Sequence, residues 1–290
     1  MTRIPTGIYG MDRLIEGGFR EKSANVIVGS SGTGKTTFAI QFIMQGIEND
    51  EQGLYITMEE SPEQIMEEAA LMGFDMKKHY EKNLFFIHLK GKNFKKMIEE
   101  QLPSLVKARS DYVIKTRVVV DPLTPVIWAT QDRLVQRELV GKLFYTVKDL
   151  GCVLTTVEEH SKPGETIGED VLLPVYLADS AIHLEYYPIG GAFNRTLQII
   201  KMRGTKHGEG VYPYLFVKGA GIITRTAPVA TEVVKADNYN KIFDEALDSA
   251  KALNAPEHII QRIENVKAGW AYPYSPKEVL EIIFDSCNLK

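Results

Sequence analysis

Short apolar runs and amphipathic stretches alternate through the first 160 residues. NVIVG (25–29), LYITM (54–58), LFFIHL (84–89), RVVVD (117–121) and CVLTTV (152–157) are apolar at nearly every position. Such runs predict strands buried on both faces. Between them the apolar positions recur at helical spacing. Residues 35–47 carry Phe38, Ile40, Phe42, Ile43 and Ile47. A second helix runs from Pro62 to about Met72, opened by Ser61-Pro62 and stopped by Gly73-Phe74. Further helices are predicted over 93–109, which is basic and amphipathic, and over 131–149, before Gly151. Strand alternating with helix implies a mainly parallel sheet covered on both faces.

Beyond residue 160 the period changes. SAIHLEYY (180–187) and RTLQIIKMR (195–203) alternate, and Pro188–Asn194 between them carries Gly190-Gly191. That predicts an antiparallel hairpin, with a further strand or two near 214–225. From about residue 236 the pattern is helical, over 237–253, 256–268 and 276–287, with breaks at Asn254-Ala255-Pro256 and Tyr272-Pro273. The expected division is an α/β domain over 1–235 and a helical C-terminal extension over 236–290.

Composition narrows the function classes. The chain has 290 residues, 44% hydrophobic and 25% charged. That is room for a full core, which excludes disorder and a disulfide-dependent scaffold. Thirty-four Lys and Arg against 38 Asp and Glu leave a net charge of -4. A chain that grips nucleic acid by neutralising phosphates is expected to be basic, so the charge weighs against that partner. Cys152 and Cys287 are too far apart to suggest a ligand cluster. With no apolar signal core in MTRIPTG and no run of about 18 apolar residues, a cytoplasmic protein without a membrane span is expected.

The strongest chemical signal is GSSGTGKT at 29–36, a full G-x-x-x-x-G-K-[ST] pattern placed after a buried strand and before a helix. Glycines let the loop curl so that its N–H groups point inward at phosphate oxygens, and the helix N-terminus adds partial positive charge. Ser31, Gly32, Thr33, Gly34, Lys35, Thr36 and Thr37 are the expected nucleotide contacts, with Lys35 reaching the β- and γ-phosphates. The Thr36 hydroxyl and Asp121, at the end of RVVVD, are the expected Mg²⁺ ligands. Glu59-Glu60 follow the strand LYITM. Adjacent carboxylates repel, which raises one pKa and suits a base that activates water. Either residue fits that role.

Taken in order, these segments resemble the KaiC-like family of RecA-type P-loop ATPases, as a single KaiC domain. The resemblance runs from IPTGIYGMDRLIEGGF (4–19) through the P-loop, YITMEESPEQI (55–65) and RVVVDPLTPV (117–126) to IIKMRGTKHGEG (199–210), covering roughly residues 4–225. It implies a RecA-like core with a mainly parallel sheet, ATP and Mg²⁺ as cofactors, ATPase activity and a homo-oligomeric ring, a hexamer by family. It also implies that Lys201 and Arg203, with Met202, Thr205 and His207, contact ATP on the adjacent protomer. Strand alternation independently places Lys201 and Arg203 on one face with Met202 opposite. Clock-type members carry two such domains and adjacent Ser and Thr phosphorylation sites; Val175 and Tyr176 stand there in this chain. The expectation is therefore an ATPase in a regulatory or signalling role, without autophosphorylation at that pair. Two alternatives stay open: a nucleotide-dependent assembly module with very slow hydrolysis, and a recombinase-like DNA-binding ATPase.

Smaller signals complete the reading. Thr155, Thr156 and Glu158 to His160 end a strand where RecA-like proteins often keep a polar nucleotide sensor. Lys90, Lys92, Lys95 and Lys96 form a basic run, and Phe193 lies in the hairpin loop. The helical extension offers a site for a protein partner, and Trp270, Tyr272 and Tyr274 are expected to pack it on the body.

Overall fold

The computed structural model describes residues 2–89, 94–104, 107, 115–160, 169–186, 195–226, 239–270 and 275–287. A short antiparallel pair, β1 (Arg3–Ile4) and β2 (Phe19–Arg20), closes the leading segment around a 3-10 helix at Met11–Ile15. The main strands are β3 (Ala24–Gly29), β4 (Gln52–Thr57), β5 (Leu84–His88), β6 (Thr116–Asp121) and β7 (Gly151–Glu158). They are followed by β8 (Ser180–Tyr186), β9 (Arg195–Met202), β10 (Val211–Val217) and β11 (Gly221–Thr224). These nine build one sheet in the order β11-β10-β9-β8-β3-β7-β6-β4-β5. From β8 to β5 every pairing is parallel. From β8 to β11 every pairing is antiparallel. The chain thus has the RecA-like α/β fold, with the period change after residue 160 marking where the sheet turns antiparallel.

Side chains of the central strands alternate between two cores. Ile27, Tyr55, Val119, Leu154 and Ile182 face α1 (Lys35–Glu48), whose Phe38, Phe42 and Ile43 are fully buried. Val26, Val28, Val118, Val120 and Ala181 face the other way. There they meet α4 (Thr124–Trp128), α5 (Arg133–Lys148) and α6 (Glu169–Leu177). The helix α2 (Pro62–Leu71) opens as its sequence predicts: Ser61 and Gln64 form a reciprocal capping box, and Pro62 occupies the first turn. Asp132 caps α5 by accepting from the N–H groups of Leu134 and Val135.

The elements α4, α6 and the β1–β2 pair are additions to the expected set. Each is too short or too uniformly apolar to show a period. In the basic segment, α3 (Phe94–Lys96) passes directly into a π-helical turn at Met97–Gln101. Lys90, Lys92, Gly190, Gly191, Phe193, Tyr272 and Tyr274 lie outside the described residues.

Three helices follow the sheet: α7 (Tyr239–Ala252), α8 (Glu257–Gly269) and α9 (Lys277–Ser286). Their apolar faces, with Phe243, Leu247, Ile259, Ile263, Val279 and Ile283, share one cluster with Tyr9, Leu215, Val217 and Ile223. Trp270 joins it edge-on to Phe243 at 5.7 Å. The extension therefore covers the antiparallel edge of the sheet. Polar ties reinforce it: Arg262 donates to Glu48 at 2.6 Å, Arg225 pairs with Glu278, and Ser286 Oγ accepts the Gly10 N–H at 3.0 Å.

A second buried cation organises the same C-terminal end of α1. Arg117, fully buried on β6, pairs with Glu51 at 2.7 Å and donates to the carbonyls of Pro5 and Phe42. The guanidinium also lies over the Phe42 ring, 4.9 Å from its centroid. Gly46 makes room for it, since a Cβ there would meet Arg117 Nε at 2.4 Å.

Candidate functional site

The phosphate-loop motif leaves β3 at Gly29 and re-enters helix at Lys35. Gly32 and Gly34 hold φ of 78° and 90°, a region that glycine reaches without a Cβ penalty. Around Gly32 a Cβ would find nothing within 4 Å, so the loop is open on that side. At Gly34 a Cβ would strike the Phe216 ring at 2.1 Å. Strand β10 backs the loop from behind: besides Phe216, the Tyr214 hydroxyl donates to the Thr33 carbonyl at 2.6 Å. The Thr33 hydroxyl donates to Ser30 O at 2.8 Å, and Thr33 is fully buried. Its side chain is turned inward, so any contact of Thr33 with a ligand falls to its main chain. Ser31 and Gly32 form the exposed tip; Thr36 and Thr37 begin α1.

A cavity of about 140 Å³ opens beside this loop at the C-terminal ends of β4, β6 and β7. Lys35, Thr36, Glu59, Glu60, Asp121 and Glu158 line it. Lys35 Nζ donates to Ser30 O at 2.9 Å. Burial lowers the Lys35 pKa, and the surrounding Glu158, Asp121, Glu59 and Glu159 oppose that shift. Of these carboxylates, Glu59, Asp121 and Glu158 line the cavity with Lys35.

Asp121 is held from two sides. Its Oδ2 accepts the Tyr55 hydroxyl at 2.5 Å, and its Oδ1 accepts the Thr156 hydroxyl. Burial, and then the Asp121 charge, push the Tyr55 pKa well up, so this phenol stays a donor. The peptide after Asp121 is cis, to Pro122. Glu59 and Glu60 close the far wall. Both have raised pKa values, first through burial. For Glu59 the next causes are Glu158 and Asp121, with Lys35 opposing; for Glu60 they are Glu68, Asp121 and Glu59. Of the two, Glu59 is the one coupled to Lys35.

The motif near residue 201 lies elsewhere. Met202 pairs with Ser180, which pairs with Asn25 near the start of β3. The phosphate loop leaves after Gly29, four residues on, or about 13 Å along the strand. Lys201 Nζ donates to the carbonyls of Val175 and Tyr176 at 2.8 and 2.9 Å, and Arg203 Nη2 to Tyr176 at 3.3 Å. The two cations therefore share a face, and burial followed by the Arg203 charge lowers the Lys201 pKa. Met202 faces the core, as alternation with Lys201 and Arg203 predicts, so its expected ligand contact would be made by the main chain. The Thr205 hydroxyl accepts from Arg3 at 2.7 Å, and His207 Nδ1 lies 3.1 Å from Gly208 O. Lys201, Arg203, Thr205 and His207 do not line the Lys35 cavity of their own chain.

Sequence reasoning missed Tyr55 as the donor that orients Asp121 and treated Glu158 only as part of a strand end. The available signal was alternation. Tyr55, Asp121 and Thr156 fall on the same face of three neighbouring strands once the parallel order is known.

A RecA-like sheet with a P-loop at its C-terminal strand ends is the class that this fold and site define. A family model described as "ATPase: KaiC" matches residues 4–227. The chain belongs to that family. It is 32% identical over 226 residues to the circadian clock oscillator protein KaiC of Prochlorococcus marinus, covering 73% of this chain and 43% of that one. It is 30% identical over 226 residues to a UPF0273 protein of Pyrococcus furiosus, covering 73% of this chain and 90% of that one. The crystal structure of a KaiC-like protein from Pyrococcus horikoshii superposes with a TM-score of 0.65 at 29% identity, covering 77% of this chain and 99% of that one. The chain spans about half the length of the clock proteins it matches. Among the described residues, no helix is long and apolar enough to cross a membrane.

Proposed function

We propose that this chain binds ATP with Mg²⁺ at the C-terminal strand ends and hydrolyses it, within a homo-oligomeric, hexameric ring whose interfaces hold the nucleotide. The observation that carries this is the convergence of Lys35, Thr36, Glu59, Glu60, Asp121 and Glu158 on one cavity beside an open P-loop. Phosphate oxygens would meet the loop N–H groups and the Lys35 ammonium, with the α1 N-terminus adding partial positive charge. An all-oxygen pair, the Thr36 hydroxyl and Asp121, suits Mg²⁺, which keeps several waters and uses few protein ligands. When bound, that ion neutralises phosphate charge. Tyr55 and Thr156 hold the Asp121 carboxylate in one orientation.

Glu59 is the proposed base. Its raised pKa strengthens it as a proton acceptor, and it lines the same cavity as Lys35, which supports this choice. Glu60 is proposed to support it from the adjacent position on the cavity wall. Because Lys201 and Arg203 lie at the other end of the sheet, they are proposed to serve the neighbouring protomer, where two fixed cations would stabilise charge developing on the transferred phosphoryl group. The extension at 236–290 is proposed to present its outer, polar faces to a protein partner, since its apolar faces are spent on the sheet edge.

Light scattering with ATP, with ADP and without nucleotide, run beside phosphate release, tests the reading. ATP-dependent growth to a ring with measurable turnover supports it. A ring with no measurable turnover would replace it with an assembly module stabilised by ATP through linkage. A monomer under all conditions would remove the role of Lys201 and Arg203 at a neighbour's site.

A further inference from the structure

Behind the phosphate loop, on the face of the sheet away from α1, lies a buried hydrogen-bonded pair that the proposed chemistry does not use. His183 Nε2 and Glu159 Oε2 are 2.6 Å apart, and both side chains are about 95% buried. His183 sits on β8 opposite Val28, one residue before the root of the loop. Glu159 follows the last residue of β7 on the other side of β3, and its N–H donates to the Gly29 carbonyl at 3.0 Å. The pair therefore bridges β7 and β8 across β3, at the point where the phosphate loop departs. Glu185 Oε1 lies 3.9 Å from His183 Nδ1 on the other side of the imidazole.

The neighbouring residue on β7 gives this bridge a consequence. Glu158 lines the Lys35 cavity and heads the charges acting on Lys35. Its N–H is bound to the Thr124 hydroxyl at 2.9 Å. Successive side chains point to opposite faces, so anchoring Glu159 below the sheet fixes Glu158 above it. Any shift of the β7 end would move Gly29, through its hydrogen bond, and the carboxylate facing Lys35 together. A buried carboxylate and imidazole are costly to desolvate, and an apolar pair would pack at no such cost. Retaining them at this point is consistent with a positional role.

We propose that His183 and Glu159 are positioning residues for the phosphate loop, holding Gly29 and Glu158 in register so that Lys35 meets phosphate. The proposal rests on the ATP-binding reading above. The test uses the full chain and measures binding of a fluorescent ATP analogue, kcat and KM for phosphate release, and thermal melting. His183→Leu is expected to weaken nucleotide binding by about tenfold and to raise KM more than it lowers kcat. His183→Gln, which keeps a donor for Glu159, is expected to stay within about threefold of the wild type. The double variant Glu159→Leu with His183→Leu removes the buried charge; it is expected to melt at or above the wild-type temperature while binding stays weak. Wild-type affinity in that stable double variant would overturn the proposal and leave the pair a packing feature. The two readings fail separately. Binding that survives Lys35→Ala sinks the site itself, whereas binding lost in Lys35→Ala but intact in the leucine variants sinks only the pair.

Discussion

The two ends of the sheet carry opposite chemistry. At the C-terminal ends of the parallel strands, Lys35 shares a cavity with Glu59, Glu60, Asp121 and Glu158, and the lining is rich in carboxylate oxygen. At the other end, Lys201 and Arg203 lie side by side and rest on main-chain carbonyls of α6. Among the described residues, Lys35 is the one cation that lines the cavity at the first end, the proposed site for phosphate and metal. At the second end Asp179 accompanies the two cations, and its carbonyl accepts the Arg203 N–H at 2.9 Å. The two sets are separated along the sheet, and Lys201 and Arg203 do not line the cavity of Lys35. The proposed ring would bring the cations of one copy to the cavity of the next.

The largest effect is expected where the comparison is sharpest. Lys35→Ala should abolish ATP binding, a loss on the order of 100-fold or more, read with a fluorescent analogue. Next, Glu59→Gln should lower kcat roughly 1,000-fold with binding retained, and Glu60→Gln should cost less. Equal losses in the two would remove the distinction drawn from the Lys35 coupling.

Arg203→Ala should lower turnover on the order of 100-fold by removing a cation from the neighbour's site. Mixing Arg203→Ala with Lys35→Ala protomers should then restore part of the activity, because each supplies what the other lacks. Two inactive variants that stay inactive on mixing would break the division of labour between the ends. A smaller effect concerns pH. Burial and neighbouring carboxylates raise the Glu59 pKa, so its basic form is lost at a higher pH than for an ordinary carboxylate. Phosphate release should accordingly fall on acidification through an acid limb above the usual carboxylate range, and this limb should vanish in the residual activity of Glu59→Gln.

The least effect on chemistry is expected from Arg262→Met. It removes a 2.6 Å partner from Glu48, at the far end of α1, and should cost about 3 kcal/mol of stability in denaturant unfolding. ATP affinity should change less than threefold. A large change in affinity would show that the extension reaches the phosphate loop through α1.

Much of the fold was legible in the residues. NVIVG and RVVVD read as buried strands because apolar side chains on both faces leave no other placement in a protein with helices between its strands. Ser61, Pro62 and Gln64 announced a helix start that the capping box realises. The P-loop is readable because its chemistry is local: glycines, lysine and threonine act within eight consecutive residues. Arg117 was not legible. Nothing near it in sequence shows that Glu51, Pro5 and Phe42 converge on its guanidinium, from up to 112 positions away. Tyr55 was hidden by the opposite masking, a polar hydroxyl inside an apolar run.

The sequence by itself determined the strand–helix alternation, the phosphate cradle, the carboxylates at the strand ends and the helical character of the extension, because these depend on neighbours a few residues apart. Tertiary structure decided which strands lie side by side. It thereby set Tyr55 and Thr156 on Asp121, Glu158 on Lys35 and His183 on Glu159, and set Lys201 and Arg203 away from the phosphate loop. Those relations depend on strand order and register, and every one of them joins residues at least 24 positions apart.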